Sequence, residues 1–184
     1  EPGPSPRELD LILAAATTVP DHGNLRPWRF VVVQGEGREG FGEALVAAAR
    51  AARPDLPPEL ADKTRRKAFL APCLVAVIAS PVDPSKVPVW EQVVSASCTG
   101  YALVLAADAL GLGAVWKTAA VMDGALLRAT LGLRAGEQFL GWVNLGRRPE
   151  RDVTARRPLD LGERVQVLGP RGLTPWVVAR DPSR

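Results

Sequence analysis

Apolar residues at Leu9, Ile12, Leu13 and Ala16 repeat at the spacing of one helical face, so the chain opens on an amphipathic helix. "SPRE" at Ser5–Glu8 supplies its start, with serine as cap, proline at the first helical position and glutamate three residues after the cap. The β-branched "TTV" and Pro20 end it near Thr17. "WRFVVV" then reads as a buried strand, and "QGEGRE" turns the chain into a second helix marked by Phe41, Leu45 and Ala48. "RPDLPPE" breaks that helix, "ELADKTRRKAFL" predicts a polar surface helix, and "APCLVAVIAS" predicts a second strand. The apolar residues of that strand are continuous rather than alternating, which is the pattern of a strand covered on both faces.

The longest periodic segment runs from about Trp90 to Leu112, "WEQVVSASCTGYALVLAADALGL", and contains no proline. A helix apolar on nearly all sides is predicted to be buried on nearly all sides, at the centre of the fold, at a subunit interface, or both. "GAVWK" gives a short strand or extended segment, "DGALLRATLGL" a capped helix, and "FLGWVNLG" a third strand. After Gly146 the composition shifts to Arg and Pro, predicting an extended arm in which "RVQVLG" and "TPWVV" form short or exchanged strands. Together these elements predict an α+β fold with helices flanking a small sheet. It is expected to be one domain over 1–184, with 147–184 as its C-terminal arm.

Composition narrows the class. A chain of 184 residues, 47% hydrophobic and 23% charged, fits one globular core and excludes wholesale disorder. No apolar run approaches the ~18 residues of a membrane span, and "EPGPSPRELD" lacks the basic start and apolar core of a secretory leader. Cys73 and Cys98 both lie in apolar surroundings, and are expected to be buried free thiols in a reducing cytosol, which predicts a cytoplasmic protein. The net charge of +3 is unevenly placed: residues 147–184 carry nine Arg against five Asp or Glu, a surplus of +4 that leaves −1 for the rest. That surplus suits one small anion, since a single aromatic residue, Trp176, among nine arginines is not the aromatic interleaving that nucleic-acid binding would require.

Familiar catalytic motifs are absent. "QGEGREGF" has its glycines misplaced for a dinucleotide fingerprint and lacks the lysine and hydroxyl of a phosphate loop, so it reads as a hairpin-like turn. One histidine and two distant cysteines make no zinc set. Ser95 and Ser97 lie inside a helix, and no nucleophile elbow is present. Loop polar groups, arginines and aromatic faces remain, and they suit a cofactor that brings its own chemistry.

The loop "PDHGNLRPWRFVVVQG" resembles the Asn-x-Gln-Pro-Trp loop and following strand of the flavin-dependent nitroreductase family. "KVPVWEQ", "GLGAVWKTA" and "FLGWVNLGRRP" extend the match in family order over most of the chain, most like the small YdjA-like subgroup. The resemblance implies a nitroreductase-like fold and an FMN-containing homodimer, with the long central helix forming much of the interface. It implies ping-pong hydride chemistry, NADH or NADPH as donor, and a nitroaromatic, quinone or similar electron-poor acceptor. By that comparison Thr18 and His22 match positions contacting the flavin or its ribityl chain, and Asn24 matches the residue near the pyrimidine edge. Trp116, Lys117 and Thr118 match the flavin-contacting segment on the other side, and Arg156 falls where the C-terminal arm approaches the cofactor. Family members also carry an Arg-Arg-Ser-type motif that grips the phosphate, and Glu1 begins beyond its place. Arg147, Arg148, Arg156, Arg157 and Arg171 are the candidates to compensate.

Each residue also has a plainer reading. His22 can cap nearby backbone, and as a flavin contact it could also relay protons. Asn24 can serve an Asx-turn. Trp28 is expected to anchor its strand in the core, and Trp116 either packs on the long helix or lines the pocket. Lys117 either stabilises the charge of a reduced flavin or is a solvated strand end. Arg26 stands where the family has Gln, which leaves open a specialised flavin-dependent dehydrogenase or oxidase acting on a small metabolite. A dimeric flavin-binding protein without catalysis is the third alternative.

Overall fold

The computed structural model describes residues 2–148, 159–170 and 172–176. Ser5 opens the first helix, α1 (Pro6–Ala16): its hydroxyl accepts the Glu8 amide at 3.3 Å, and the Glu8 carboxylate accepts the Ser5 amide at 2.7 Å. This is the reciprocal cap that "SPRE" encodes. Beyond a 3-10 turn over His22–Asn24 come β1 (Trp28–Gln34), α2 (Gly37–Ala52), α3 (Pro58–Arg66) and β2 (Cys73–Ala79). Then follow α4 (Val89–Ala109), β3 (Leu112–Lys117), α5 (Ala125–Thr130) and β4 (Gln138–Arg147). The four strands form an antiparallel sheet in the order β1-β2-β4-β3. The described residues group into two compact units divided at Pro149. In the second, β5 (Gln166–Gly169) and β6 (Gly172–Pro175) pair with each other as a hairpin.

Strand β2 explains the layering. Alternate side chains of a strand point to opposite faces. Leu74, Ala76 and Ile78 therefore join one core with Phe41 and Leu45 of α2, Leu127 of α5 and Trp142 of β4. Cys73, Val75 and Val77 join the other core, with Ile12 of α1, Leu103 of α4 and Val143 of β4. Helices thus cover both faces, and all seven β2 residues are buried, as the continuous apolar run predicted. Burial pushes the Cys73 thiol pKa up.

Several expectations need correcting. Cys98 is exposed, because α4 turns the side carrying it away from α1 and the sheet. The same helix is not enclosed at the centre of the fold: within the single chain it is buried along one side, through Gln92, Ser95, Ala96, Thr99, Gly100, Leu103 and Ala107. "QGEGREGF" makes no hairpin: β1 ends at Gln34 and α2 begins at Gly37, so the turn joins strand to helix. Trp28 is half-buried rather than enclosed, and the largest fully buried side chain is Trp142, packed edge-on to Phe41 at 5.3 Å.

Two ion pairs tie distant segments together. Arg29 of β1 donates Nε and Nη2 to the Glu137 carboxylate at 2.8 and 2.6 Å, and Nη2 also donates to the Gly132 carbonyl at 2.6 Å. The Arg29 guanidinium holds the Glu137 pKa down at about 2. Arg147 donates to both Glu8 oxygens at 2.8 and 3.0 Å, fastening the end of β4 to the start of α1.

Candidate functional site

The loop between α1 and β1 owes its shape to unusual backbone and to one carboxylate. Gly23, Asn24 and Arg26 have φ of 75°, 56° and 49°. Such conformations are costly for residues other than glycine and persist only when the surroundings enforce them. Asp21 enforces them here: its carboxylate accepts the Arg26 amide at 2.6 Å, and its carbonyl accepts the Asn24 amide at 3.2 Å. Helix α4 then holds the loop from outside. The Ser95 hydroxyl donates to the Pro20 carbonyl at 2.6 Å, and His22 Nδ1 donates to Glu91 Oε1 at 2.7 Å.

Loop and helix together line a half-open pocket of about 230 Å³, walled by Pro20, Asp21, His22, Val87, Val94 and Cys98 among others. The wall at Val87 is fixed by buried Gln92. Its amide nitrogen donates to the Val87 carbonyl at 2.9 Å, and its oxygen accepts the Val82 amide at 2.8 Å.

The second group of predicted residues hangs on the same helix. Strand β3 leaves the end of α4 through Leu110–Gly111 and packs back along it. The Trp116 ring lies flat against Gly100, where an added Cβ would come within 2.7 Å of it. Trp116 therefore packs on the helix. Its Nε1 donates to the Leu140 carbonyl at 3.3 Å, and Leu140 is the extra residue of a bulge where the β2–β4 register shifts between Val77 and Ile78. Next to it, Gly141 has φ of 114°, and a side chain there would collide with the Lys117 carbonyl. The bulge and Gly141 thus let β3 end where it does, with Lys117 and Thr118 exposed at its tip. Lys117 makes no ion pair among the described residues.

Glu91 and Gly100 are nine residues apart on α4, roughly 13 Å along its axis at 1.5 Å per residue. The structure therefore mounts both groups on one helix without bringing them around one cavity in a single chain. His22 lines the cavity; Thr18 and Asn24 are exposed on the flanks of its loop, and the Thr18 hydroxyl donates to the Ala15 carbonyl. Arg156, Arg157 and Arg171 lie outside the described residues. Arg147 and Arg148 are committed to Glu8 and Asp108, so neither is a free cation for a phosphate.

Sequence reasoning gave Glu91, Gln92 and Ser95 no role in the site. Glu91 and Ser95 are four apart, hence on one helical face. Polar residues at that spacing in so apolar a helix were the available signal.

Along the outer side of α4, Trp90, Val94, Tyr101 and Leu105 are 67, 53, 60 and 52% exposed, with Cys98 between them. Their spacing puts them on one stripe.

Sheet, loop and helix together define a nitroreductase-like α+β protein. The structure resembles the FMN and NADPH-dependent nitroreductase NfnB of Sphigopyxis sp. strain HMH with a TM-score of 0.70, at 20% identity and covering 92% of each chain. A model of the Nitroreductase family matches residues 1–147, and the chain belongs to that family. It is 38% identical over 146 residues to YdjA of Escherichia coli K12, assigned as an NAD(P)H nitroreductase, with 79% of each chain covered. A Haemophilus influenzae Rd protein assigned the same activity is 35% identical over 169 residues, covering 91% of this chain and 90% of its own.

Proposed function

We propose that this protein is an FMN-dependent NAD(P)H oxidoreductase that works as a homodimer, reducing nitroaromatics, quinones or similar electron-poor acceptors by a ping-pong scheme. The observation that carries this reading is α4. One of its sides carries the His22 loop and the β3 tip, and the adjoining side is a bare apolar stripe. Covering that stripe with a second copy would remove large apolar side chains from water and bring a second set of site residues alongside the first.

The residues fit the ring end of FMN. Exposed Lys117 supplies a cation with no competing carboxylate among the described residues, and the Asn24 loop presents polar groups in a fixed backbone. Thr18, His22, Asn24, Lys117 and Thr118 would hold the group, with Trp116 setting the course of β3. FMN, when bound, supplies two-electron redox chemistry between NAD(P)H and the acceptor. Lys117 would balance negative charge on the reduced ring. No side chain need form a covalent bond, which accounts for the missing triad and metal motifs.

An absorbance spectrum of native protein, followed by anaerobic titration with NADH and then NADPH, tests the reading. A flavin spectrum that bleaches rapidly with either nicotinamide is expected. Colourless protein that does not take up added FMN would overturn it, and flavin that either nicotinamide reduces only slowly would favour the metabolite dehydrogenase.

A further inference from the structure

We infer that Met122 is an oxidation site that controls the grip on the cofactor: its sulfur holds the segment after β3 in place, and conversion to the sulfoxide releases that segment. The inference rests on the oxidoreductase reading above, which sets Lys117 and Thr118 against FMN.

Residues 118–123 join β3 to α5, and both ends of this segment are fixed. At its start Gly141 lies against the Lys117 carbonyl, and at its end a Cβ on Gly124 would stand 3.0 Å from the Ala48 Cβ of α2. Between these ends the backbone has little to hold it. Among the described residues a single amide of 118–123 makes a hydrogen bond, with Ala119 N–H donating to Met122 Sδ at 3.1 Å. A thioether is a weak acceptor, so this segment is pinned by the one kind of acceptor that mild oxidation removes. Ala119, Val121 and Met122 also pack against the core of Phe41, Leu127 and Trp142, and an apolar Met122 is needed there.

The proposed chemistry supplies the oxidant. Dioxygen that takes the two electrons in place of an acceptor, with two protons, becomes hydrogen peroxide beside this segment. Met122 is half-buried, within reach of so small a molecule. A sulfur lone pair attacks one peroxide oxygen, the O–O bond breaks, and the proton on the attacked oxygen passes to the departing one. Sulfur loses two electrons, Met122 becomes the sulfoxide, and water leaves. The oxidised sulfur no longer accepts the Ala119 amide, and the 3.1 Å between the two atoms has no room for the new oxygen. The side chain also turns polar against an apolar core. Ala119 is released, and with it the backbone that presents Thr118 and Lys117. Turnover without an acceptor thus loosens the protein's own hold on FMN until the sulfoxide is reduced.

Met122 is the chain's only methionine, so peptide mass spectrometry reads its oxidation without ambiguity. Hydrogen peroxide, added to FMN-loaded wild-type protein until Met122 carries one oxygen, should raise the FMN dissociation constant about fivefold, the worth of one ordinary hydrogen bond. Methionine sulfoxide reductases, one for each epimer, should reverse the change, which separates Met122 from the exposed Cys98. Prolonged turnover of NADPH in air without another acceptor should leave the same mark, and catalase should prevent it. Met122→Leu keeps the apolar bulk and has no sulfur, so peroxide should leave its affinity where it began. In protein stripped of FMN, the Ala119 amide should exchange with deuterium faster after oxidation. A dissociation constant that complete oxidation changes by less than about twofold, an unchanged Ala119 exchange rate, or equal loss of FMN from peroxide-treated Met122→Leu overturns the inference. So does a Met122 thioether that survives the turnover in air. Wild-type protein that never takes up FMN overturns the oxidoreductase reading instead, and Ala119 exchange, which needs no flavin, tells the two failures apart.

Discussion

Glu137→Gln removes one charge from the pair that anchors β1, the strand into which the His22 loop feeds. Arg29 holds the Glu137 carboxyl at about 2, against an ordinary value of 4.5. The gap of about two and a half pH units, at about 1.4 kcal/mol each, bounds the contribution near 3 kcal/mol. Glu137 is only 5% exposed, so solvent screens the pair little. Leaving Arg29 without its carboxylate adds a penalty, partly relieved by the Gly132 carbonyl, so a loss of about 2–4 kcal/mol is expected near neutral pH. Urea unfolding of wild type, Glu137→Gln, Arg29→Met and the double variant measures it. The double variant should lose less than the sum of the singles, because both charges leave together. The pH dependence has a fixed sign. A carboxyl whose pKa is lowered on folding stabilises above its unfolded value and loses that contribution as pH falls toward its folded value. The gap between wild type and Glu137→Gln should therefore close between about pH 4.5 and 2. A loss below about 0.5 kcal/mol, or a gap constant through that window, would refute the reasoning.

Gly141→Ala forces a side chain into a backbone at φ 114° and against the Lys117 carbonyl, so a stability loss of about 2 kcal/mol or more is expected. Weaker FMN binding should accompany it, read by fluorescence titration; unchanged stability with unchanged affinity would show that the β3 tip does not depend on the bulge. Tyr101→Glu puts a charge in the middle of the exposed α4 stripe, and sedimentation velocity should show a dimer for wild type and a monomer for the variant. Cys98 should then react with a thiol reagent faster than in wild type, while buried Cys73 stays inert in both. Dimeric Tyr101→Glu protein would remove α4 from the interface.

The layers were legible because their signals are local. The capping box needs four neighbouring residues, and the continuous apolar run of β2 reports two covered faces whatever covers them. Which side of α4 stays bare was not legible. A helix apolar all round carries no directional signal, and its exposure is decided by where α1 and β3 pack. Trp116 was equally open from sequence, since an indole serves packing or a pocket alike. Gly100 and the Leu140 bulge decide it, and they lie 16 residues before it and 24 after it. The site's central contact, His22 to Glu91, joins residues 69 apart.

Charge shows the same limit and also a way past it. The surplus of arginines from residue 147 onward pointed to a small anion, yet a count of charges says nothing about which are spent. Arg147 finds Glu8 across 139 residues of sequence, and Arg148 finds Asp108 across 40. Each has become part of the scaffold, fastening β4 to α1 or α4. Lys117 belonged to no cluster, but it stands at a strand tip cleared by Gly141 and makes no ion pair among the described residues. An electrostatic site is made by a cation left unneutralised where a ligand can reach it, and in the function proposed above Lys117 fills that role rather than either arginine.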